Sequence, residues 1–412
     1  MRYFIVTFLF SLLLFGADAK LTIEKNADNR TKIALIDGSQ GVSETLSQKF
    51  FQILLADLKI SGHFLADTTH HKGDFQSNMF PPSIGNKEYV FKYALSQQGG
   101  LNLVVSLVNV TSGNSIFQKS YTMTTQDKYP FLAHKAISDM NAALNFPDIS
   151  WINRYLLFSR YVGSKQSEIL LADYTLTYSK VIISGGLNLF PKWADNEQRS
   201  FYYTSFSGRV PTLYRLNIYT GAKDMMATSE GMLVCSDINK NGTKALLTMA
   251  PNGQPDIYEL DVTTKQTRRL TDFGGIDVGG RYVDDDSSIV FVSNRLGYPN
   301  IFRQSLFGSG LTQVVHHGRN NNQVDAYGDK IVYASRESSR SFNLYLANLN
   351  GSQAYPLTST GENQFPRFSS NGKVVLFVKQ QGSGSAIGYI NLETKQSEHF
   401  SLGGKKVQSI DW

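Results

Sequence analysis

A repeat of about 44 residues fills most of this 412-residue chain and limits the folds that are open to it. Six short apolar segments begin at residues 156, 202, 246, 290, 332 and 376, so successive segments start 42 to 46 residues apart. A polar turn and a second apolar segment follow each of them. A strand-only period of this length is typical of one four-stranded propeller blade. The sequence therefore predicts a six-bladed β-propeller.

The length of the repeat region agrees with a closed ring. Six repeats of about 44 residues account for the whole of Ile149–Trp412. A linear β-solenoid would have a shorter period, and a helical repeat would show apolar residues about 3.6 positions apart. We therefore predict an all-β, six-bladed, WD40-like propeller over residues 148–412.

Residues 20–147 mix strand and helix patterns, which predict an α/β N-terminal domain of β-α-β-β-β-α order. Thr31–Asp37 is a short β-branched run typical of a strand. An apolar helical stripe follows between an N-cap and a glycine stop at Ser43–Gly62. The polar stretch His70–Asn86 predicts a loop, three alternating segments predict a meander, and a second helix is expected from about Tyr129 to Leu144.

The first nineteen residues have the pattern of a cleaved signal peptide. Arg2 precedes an apolar run from Tyr3 to Phe15, and Ala17-Asp18-Ala19 forms a small-x-small cleavage site. The run is too short to span a bilayer comfortably, although an N-terminal membrane anchor is the alternative interpretation. We therefore predict a signal peptide at residues 1–19, a mature protein that begins at Lys20, and no direct membrane insertion.

Charge, cysteine and histidine content exclude several classes of function. The net charge is only +6 and no block of five or six basic residues occurs, which argues against nucleic-acid binding. Cys235 is the only cysteine, so no intrachain disulfide can form, and its apolar surroundings predict a buried, unreactive thiol. His70-His71 and His316-His317 lack a third ligand at useful spacing, so we expect surface histidines rather than a metal site. No cofactor is expected.

Motifs in both halves of the chain resemble those of the TolB family of the bacterial Tol-Pal system. Phe365–Lys373 (FPRFSSNGK) resembles the P-x-[WF]-S-x-[DN]-G blade opening, and Phe190–Trp193 (FPKW) is similar. Phe291–Phe302 resembles the F-x-S-[DN]-R-x-G-x-P-x-I-[YF] blade motif. Ala56–Phe64 (ADLKISGHF) resembles the family's A-D-L-x-x-S-G-x-F helix end, and His134–Asp139 its second-helix segment.

The resemblance covers the whole chain, including the order of signal peptide, α/β domain and six blades. Blade one lacks the P-x-W-S opening, and blades four and five replace it with Tyr282–Asp284 and Val324–Ala326. These departures indicate a divergent member of the family.

The resemblance implies a non-catalytic, monomeric adaptor of the periplasm. Such a protein binds the peptidoglycan-associated lipoprotein Pal at one propeller mouth and TolA through its mature N-terminus, and it supports outer-membrane integrity and envelope constriction at cell division. Other outer-membrane lipoproteins are further candidate partners. The same N-terminal segment can fold back between the domains, which would couple the two binding events. By position, the TolA-binding residues are Lys20, Leu21, Thr22, Ile23 and Glu24.

The loops between blades converge on one mouth of a propeller channel, so they are the predicted surface for Pal. The most polar of them is His316–Gln323, whose amides and guanidinium suit recognition of backbone and carboxylate groups. A solvated loop without a partner is the other interpretation. The candidate residues at this mouth are Met232, Gly275, Arg319, Asn320, Asn321, Asn322, Asn363 and Gln364.

A propeller-fold periplasmic hydrolase or lyase, with its site in the central channel, is the strongest alternative. Prolyl-oligopeptidase-type enzymes carry their catalytic serine on a G-x-S-x-G elbow in a separate domain. The nearest string here, Gly382–Ala386, lacks the final glycine and falls in a predicted blade turn. A sugar-cleaving propeller would instead need convergent His, Tyr, Arg or carboxylates in its channel, and the sequence leaves that alternative open.

Overall fold

The computed structural model describes residues 30–77, 79–308, 310–336, 341–351 and 353–412. The predicted signal peptide at residues 1–19 and the predicted TolA-binding residues Lys20–Glu24 lie outside this described part of the chain. Within it, no helix combines the length and the apolar character needed to cross a membrane.

The N-terminal domain is one mixed sheet with two helices packed against it. The sheet order is β2-β1-β4-β5-β6, and β3 also pairs with β1. Strand β1 runs parallel to β2, β3 and β4, whereas β4, β5 and β6 form an antiparallel meander. The elements are β1 Thr31–Asp37, α1 Glu44–Ser61, β2 Phe64–Ala66, β3 His71–Lys72, β4 Tyr89–Gln97, β5 Leu101–Asn109, β6 Ser115–Met123 and α2 Tyr129–Ala143.

Local signals set the ends of α1, as the sequence predicts. The Ser43 hydroxyl accepts a hydrogen bond from the Leu46 amide, and Gly62 ends the helix in the left-handed conformation at φ 76°. The predicted loop over His70–Asn86 is partly wrong, because it contains β3 and a 3₁₀ turn at Pro82–Ile84. A strand of two residues is too short to give an alternating pattern, so only pairing with β1 reveals it.

The rest of the chain forms six antiparallel four-stranded blades, which confirms the predicted propeller. Blade I holds β7 Leu156–Gly163, β8 Gln166–Ala172, β9 Ser179–Ile183 and the last strand, β30 Val407–Asp411. Blade II holds β10 Asn188–Trp193, β11 Ser200–Ser205, β12 Thr212–Asn217 and β13 Lys223–Thr228; blade III holds β14 Leu233–Ile238, β15 Lys244–Met249, β16 Asp256–Asp261 and β17 Thr267–Arg269. Blade IV holds β18 Asp277–Val283, β19 Ser288–Ser293, β20 Asn300–Ser305 and β21 Leu311–Gln313. Blade V holds β22 Asn321–Tyr327, β23 Lys330–Ser335, β24 Asn343–Asn348 and β25 Tyr355–Pro356; blade VI holds β26 Glu362–Phe368, β27 Val374–Gln381, β28 Gly384–Asn391 and β29 Ser397–Ser401.

The ring closes through a strand exchanged between the two ends of the propeller. The C-terminal strand β30 becomes the innermost strand of blade I and pairs antiparallel with β7, with Ile410 opposite Phe158. The opening that blade I lacks in the sequence is therefore supplied by Ser409–Trp412 at the other end of the chain. Pairing with β30 covers the inner edge of β7, which would otherwise be exposed, whereas the outermost strand of each blade remains an edge strand.

Arg295 explains why the blade-four motif contains an arginine. Its guanidinium lies 5.0 Å from the ring centres of Phe273 and Phe302 and 5.5 Å from that of Phe291. It also donates to both carboxylate oxygens of Asp277, at 3.1 and 3.0 Å. The motif therefore builds a charged and aromatic core at the start of β18.

Candidate functional site: the channel mouths and the domain seam

The propeller has two unlike mouths. Because successive strands of a blade run in opposite directions, the connections between blades all lie on one face, here called the junction face. The turns between first and second strands and between third and fourth strands lie on the other, the turn face. The N-terminal domain contacts two turns of this second kind, at Asp173–Tyr178 and Asn391–Gln396. It therefore sits on the turn face and leaves the junction face open.

The candidate residues of the propeller all lie on the junction face. They precede or open the inner strands of blades III to VI, as expected from their repeat positions. Met232 is 47% exposed, and Arg319 is exposed as well. Two exposed apolar side chains lie in the same region, Ile276 at 43% and Leu296 at 45%. Leu296 belongs to a turn within blade IV, and no motif in the sequence singled it out.

Two of the candidate asparagines are internal. Asn321 is fully buried, and its amide donates to Asn300 Oδ1 at 3.1 Å and to the His317 carbonyl at 2.6 Å. Asn363 is 1% exposed, and its amide donates to the Thr360 carbonyl at 2.9 Å. The side chains of these two asparagines stabilise the connections between neighbouring blades. A partner would therefore contact the loops that they support. Asn320, Asn322 and Gln364 are partly exposed.

Gly275 has a local structural reason to be glycine. A Cβ at this position would collide with Asn294 Oδ1. That oxygen accepts a hydrogen bond from the Ile276 amide at 2.7 Å, so the asparagine fixes the junction ahead of β18. Because Gly275 and Asn294 approach each other closely, the Ile276 side chain lies at the mouth.

A ring of alternating charges lines the channel, and the sequence analysis missed it. One side chain from the inner strand of each blade points toward the axis. In ring order these residues are Lys192, Asp237, Arg281, Asp325, Arg367 and Asp411. Positive and negative side chains alternate around the whole circle, including at the contact between Asp411 of blade I and Lys192 of blade II. The six charged residues occupy the same position in each repeat, so they are visible in the sequence. That their charges alternate between neighbouring blades can be recognised only when the strands are arranged in a circle.

The ring ties neighbouring blades together by ion pairs. Lys192 Nζ lies 3.1 Å from Asp411 and 3.7 Å from Asp237, and Arg281 Nε lies 2.8 Å from Asp325. Burial and the nearby Arg281 charge lower the pKa of Arg367 to about 10. Each carboxylate also has a backbone partner on the following blade, because the amides of Trp193, Tyr282 and Phe368 donate to the ring aspartates at 2.8 to 2.9 Å. The ring is therefore a structural clasp in which every carboxylate has a partner.

A funnel of about 1050 Å³ opens from this ring onto the turn face. Asp284, Asp285 and Asp286 lie on its wall, and all three have a positive φ, from 53° to 65°. Two of them are paired with neighbouring cations, Asp284 with Arg303 and Asp285 with Lys240, and Asp286 accepts a hydrogen bond from the Lys240 amide at 2.9 Å. Across the described residues, no group of three or more histidine, cysteine or acidic side chains is arranged to hold a metal ion.

A second cavity of about 450 Å³ lies at the seam between the domains. One wall of this seam groove is α1, with Ile53, Ala56 and Ile60 among the lining residues. The other wall combines Thr175 and Thr177 of blade I with Glu398 and Phe400 of blade VI. The groove is therefore mainly apolar. It spans blades I and VI, the two blades that the ring closure joins.

A buried network, here called the latch, connects the two domains beside this groove. His134 of α2 lies between Asp57 of α1 and Asp173 of the propeller, with Nδ1 2.8 Å from Asp57 Oδ1 and Nε2 3.3 Å from Asp173 Oδ2. The Tyr174 hydroxyl donates to Asp57 at 2.6 Å. Asp57, His134 and Asp173 are all fully buried. Both imidazole nitrogens face carboxylates, so the arrangement favours the doubly protonated, charged ring.

The charge of His134 follows from its surroundings. Burial alone would lower the pKa of this histidine, but the charge of Asp57 and hydrogen bonds to Asp173 and Asp57 outweigh it and raise the pKa to about 9. Burial raises the pKa of Asp57, and the His134 charge opposes that effect. Asp173 also accepts hydrogen bonds from the amides of Thr175 and Tyr178. The latch is therefore an ion bridge in which both carboxylates are hydrogen-bonded.

The family-like motifs of the N-terminal half form this seam. Asp57 and His134 come from the two segments that resemble the TolB helix motifs. In the first motif, a Cβ on Gly62 would collide with Thr394 of the propeller, and the Ser61 carbonyl accepts a hydrogen bond from Asn391 at 3.4 Å. These residue types are therefore required by contact between the domains.

Not every expectation for the isolated side chains is correct. His70 and His71 are not surface histidines: their side chains are 12% and 7% exposed. His70 Nε2 lies 3.0 Å from Asp37, and its ring stacks on Phe51 at 4.4 Å. Cys235 is buried as predicted, at 3% exposure, and burial raises the pKa of its thiol.

Comparisons with known proteins agree with this architecture. The family described as TolB beta propeller domain matches residues 155–412. The Tol-Pal system protein TolB of Wolinella succinogenes is 42% identical over 423 aligned residues, with 100% of both chains covered. The Tol-Pal system protein TolB of Campylobacter jejuni is 40% identical, covering 97% of this chain and 96% of that protein. A crystal structure of TolB from Acinetobacter baumannii aligns with a TM-score of 0.77 at 21% identity, covering 93% of this chain and 97% of that one.

Fold and site together define a two-domain propeller protein with a ring of paired charges around its channel and an open face formed by the loops between blades. The full-length identity to several curated relatives extends this beyond the propeller alone. The chain belongs to the TolB family of Tol-Pal system proteins.

Proposed function

We propose that this protein is a periplasmic adaptor that binds Pal on the junction face and TolA through Lys20–Glu24. In this role it would support outer-membrane integrity and envelope constriction at cell division. The observation that carries the proposal is the arrangement of the two faces. The N-terminal domain occupies the turn face, so a protein bound over the junction face would not compete with one bound to the N-terminal segment.

The junction face has the composition of a protein-binding surface. Ile276 and Leu296 provide exposed apolar side chains, and Arg319 provides a guanidinium on the same face. Arginine is one of the residues that most often dominate binding energy at protein interfaces, and apolar side chains around it help to exclude water from the contact. Pal is therefore expected to contact these three side chains.

A titration with the soluble domain of Pal tests this surface. Replacement of Ile276 by serine together with Arg319 by alanine should weaken binding about tenfold or more, since interface anchors commonly contribute above 1.4 kcal/mol. Both side chains are exposed, so the change should leave the fold intact. Binding can be followed by calorimetry on the mature chain.

The matched control changes an exposed aromatic and an exposed arginine of the turn face, with Phe307 replaced by serine and Arg199 by alanine. Phe307 is 84% exposed, and the Arg199 side chain is 64% exposed. This control should bind Pal like the unchanged protein. Equal weakening by both double variants would move the interface away from the junction face, and no binding of Pal to the unchanged protein would reject the adaptor role.

The N-terminal segment also has a candidate resting place. The described chain begins next to the seam groove, because the Thr31 amide donates to the His63 carbonyl just beyond Ile60 at the end of α1. Leu21 and Ile23 alternate with polar residues, which suits an extended strand against an apolar wall. We infer that the segment occupies the groove when it is not bound to TolA.

Removal of the segment should separate the two binding events. A chain that starts at Lys25 is expected to lose binding to the soluble domain of TolA by more than about tenfold while it keeps binding to Pal. A chain with Thr22 replaced by serine is the control and should bind both partners. Undiminished TolA binding by the shortened chain would contradict the assignment of Lys20–Glu24.

A further inference from the structure

The funnel on the turn face is acidic, although the whole protein carries a net charge of +6. Nine acidic side chains line it against four basic ones. Its walls belong to the propeller and to the short segment ahead of blade I, and no residue of the N-terminal domain is among the lining residues. A cleft lined mainly by one sign of charge raises the local concentration of oppositely charged ligands. The funnel therefore favours a cationic ligand.

Two carboxylates on its wall have room for such a ligand. Asp329, in the turn between β22 and β23, is exposed and forms no ion pair with any described residue. Asp286 accepts a hydrogen bond from the Lys240 amide, but within the described chain it forms no ion pair either. Tyr327 lies two residues before Asp329, lines the same wall and is 43% exposed. Its ring can add a cation–π contact to the contacts with the carboxylates.

The opposite side of the funnel, at blades I and II, has hydrogen-bond donors without acceptors. Trp193 of β10 is 5% exposed, and its indole N–H has no acceptor among the described residues. Arg154 lies on the same side, where its Nη1 donates to the Asn196 carbonyl at 2.9 Å, whereas its Nε has no partner in the described part of the chain. A buried donor without an acceptor is costly, so these two groups favour a ligand that brings oxygen atoms. A polyamine offers none.

We propose that the funnel binds an extended peptide segment of another protein that is rich in lysine or arginine. Cationic side chains of the segment contact Asp286 and Asp329, and its main-chain carbonyls accept hydrogen bonds from Trp193 and Arg154. The volume of about 1050 Å³ lies at the upper end of the range for ligand sites, which is large enough for several residues. The inference goes beyond the proposed function, because the funnel opens on the turn face and Pal is assigned to the junction face.

Calorimetric titration of the full mature chain with acetylated tetralysine amide tests the site. We expect saturable binding that Asp286→Asn together with Asp329→Asn weakens about tenfold or more, because charge-assisted contacts to both carboxylates are lost. Asparagine keeps an oxygen for the Lys240 amide and removes only the charge. The matched control combines Asp224→Asn with Asp272→Asn, which changes the net charge equally at exposed side chains outside the funnel. It should bind tetralysine like the unchanged protein.

Spermine separates a peptide from a cation of any kind, since it carries as many positive charges as the tetralysine probe and no carbonyl. Trp193→Phe keeps an aromatic ring and removes the N–H. This change should weaken tetralysine binding about threefold, the effect of one neutral hydrogen bond, and leave spermine binding unchanged. Spermine binding as tight as tetralysine binding would overturn the assignment to a peptide.

Other outcomes also bear directly on the site. Equal weakening by the funnel variant and its control would show attraction by overall charge and reject a site in the funnel. Absence of saturable tetralysine binding to the unchanged protein would reject it as well. The Asp286→Asn, Asp329→Asn variant should keep the Pal affinity of the unchanged protein, which shows that it is folded. A chain that binds tetralysine in the funnel and does not bind Pal would reject the proposed function and keep this inference.

Discussion

Replacement of His134 by alanine is expected to lower the free energy of unfolding by about 3 to 5 kcal/mol. The change leaves Asp57 and Asp173 buried without the cation that lies between them. Breaking a buried ion bridge costs far more than its formation contributes, because the remaining charges cannot be solvated. Denaturant unfolding with one probe in each domain measures the effect, and the N-terminal domain should unfold first.

Two further variants calibrate this result. His134→Gln keeps a neutral donor of similar size, so it should recover part of the loss. His316→Ala removes an exposed histidine of the junction face and should change the free energy of unfolding by less than about 0.5 kcal/mol. A loss of the same size from His316→Ala would show that the measurement does not report the latch.

The latch also makes stability depend on pH in a defined direction. The pKa of His134 is raised from its ordinary 6.5 to about 9 in the folded protein. The folded state therefore binds this proton more tightly, and its contribution is complete below pH 6.5. Stability from this group should fall between pH 6.5 and 9 and be lost above that. The His134→Gln variant should lack this part of the pH profile.

Deletion of Val407–Trp412 should prevent the propeller from closing. The strand contributes the innermost position of blade I, and Val407 and Ile410 are 2% and 1% exposed. Burial of two such side chains alone corresponds to about 3 to 6 kcal/mol, before the lost strand pairing is counted. Because domains are stable by only about 5 to 15 kcal/mol, the shortened chain should lose cooperative unfolding. Calorimetry and limited proteolysis would detect that loss.

A single substitution tests the ring of charges separately from strand β30. Asp411→Ala removes the partner 3.1 Å from Lys192 Nζ and the acceptor of the Trp193 amide. We expect a loss of about 1 to 3 kcal/mol from the unsatisfied groups, with the propeller still closed. Asp272→Ala, at an 84% exposed side chain, is the control. Equal stability of Asp411→Ala and the unchanged protein would mean that the ring does not hold the blades.

Much of the fold follows from patterns that are local in the sequence. The 44-residue repeat predicted six blades because every blade repeats the same strand and turn spacing. The caps of α1 at Ser43 and Gly62 were predicted because capping depends on side chains and φ angles within a few residues. The burial of Cys235 was evident from its apolar neighbours.

The parts that escaped prediction depend on residues far apart in the chain. His70 and His71 were expected on the surface, but Asp37 and Asp67 bind them in the folded sheet. Strand β3 is visible only through its pairing with β1. The buried positions of Asn321 and Asn363 depend on how adjacent blades cross, which a polar loop sequence does not reveal.

The sequence by itself determined the blade count, the α/β domain and the family, because strand spacing, helix caps and motif letters are properties of short segments. Only the tertiary structure decided that Asp411 closes a charged ring with Lys192 and that His134 bridges Asp57 and Asp173. The physical reason is that an ion pair depends on distance and burial. Both are set by the packing of whole blades and domains, which brings together side chains as far apart as residues 192 and 411.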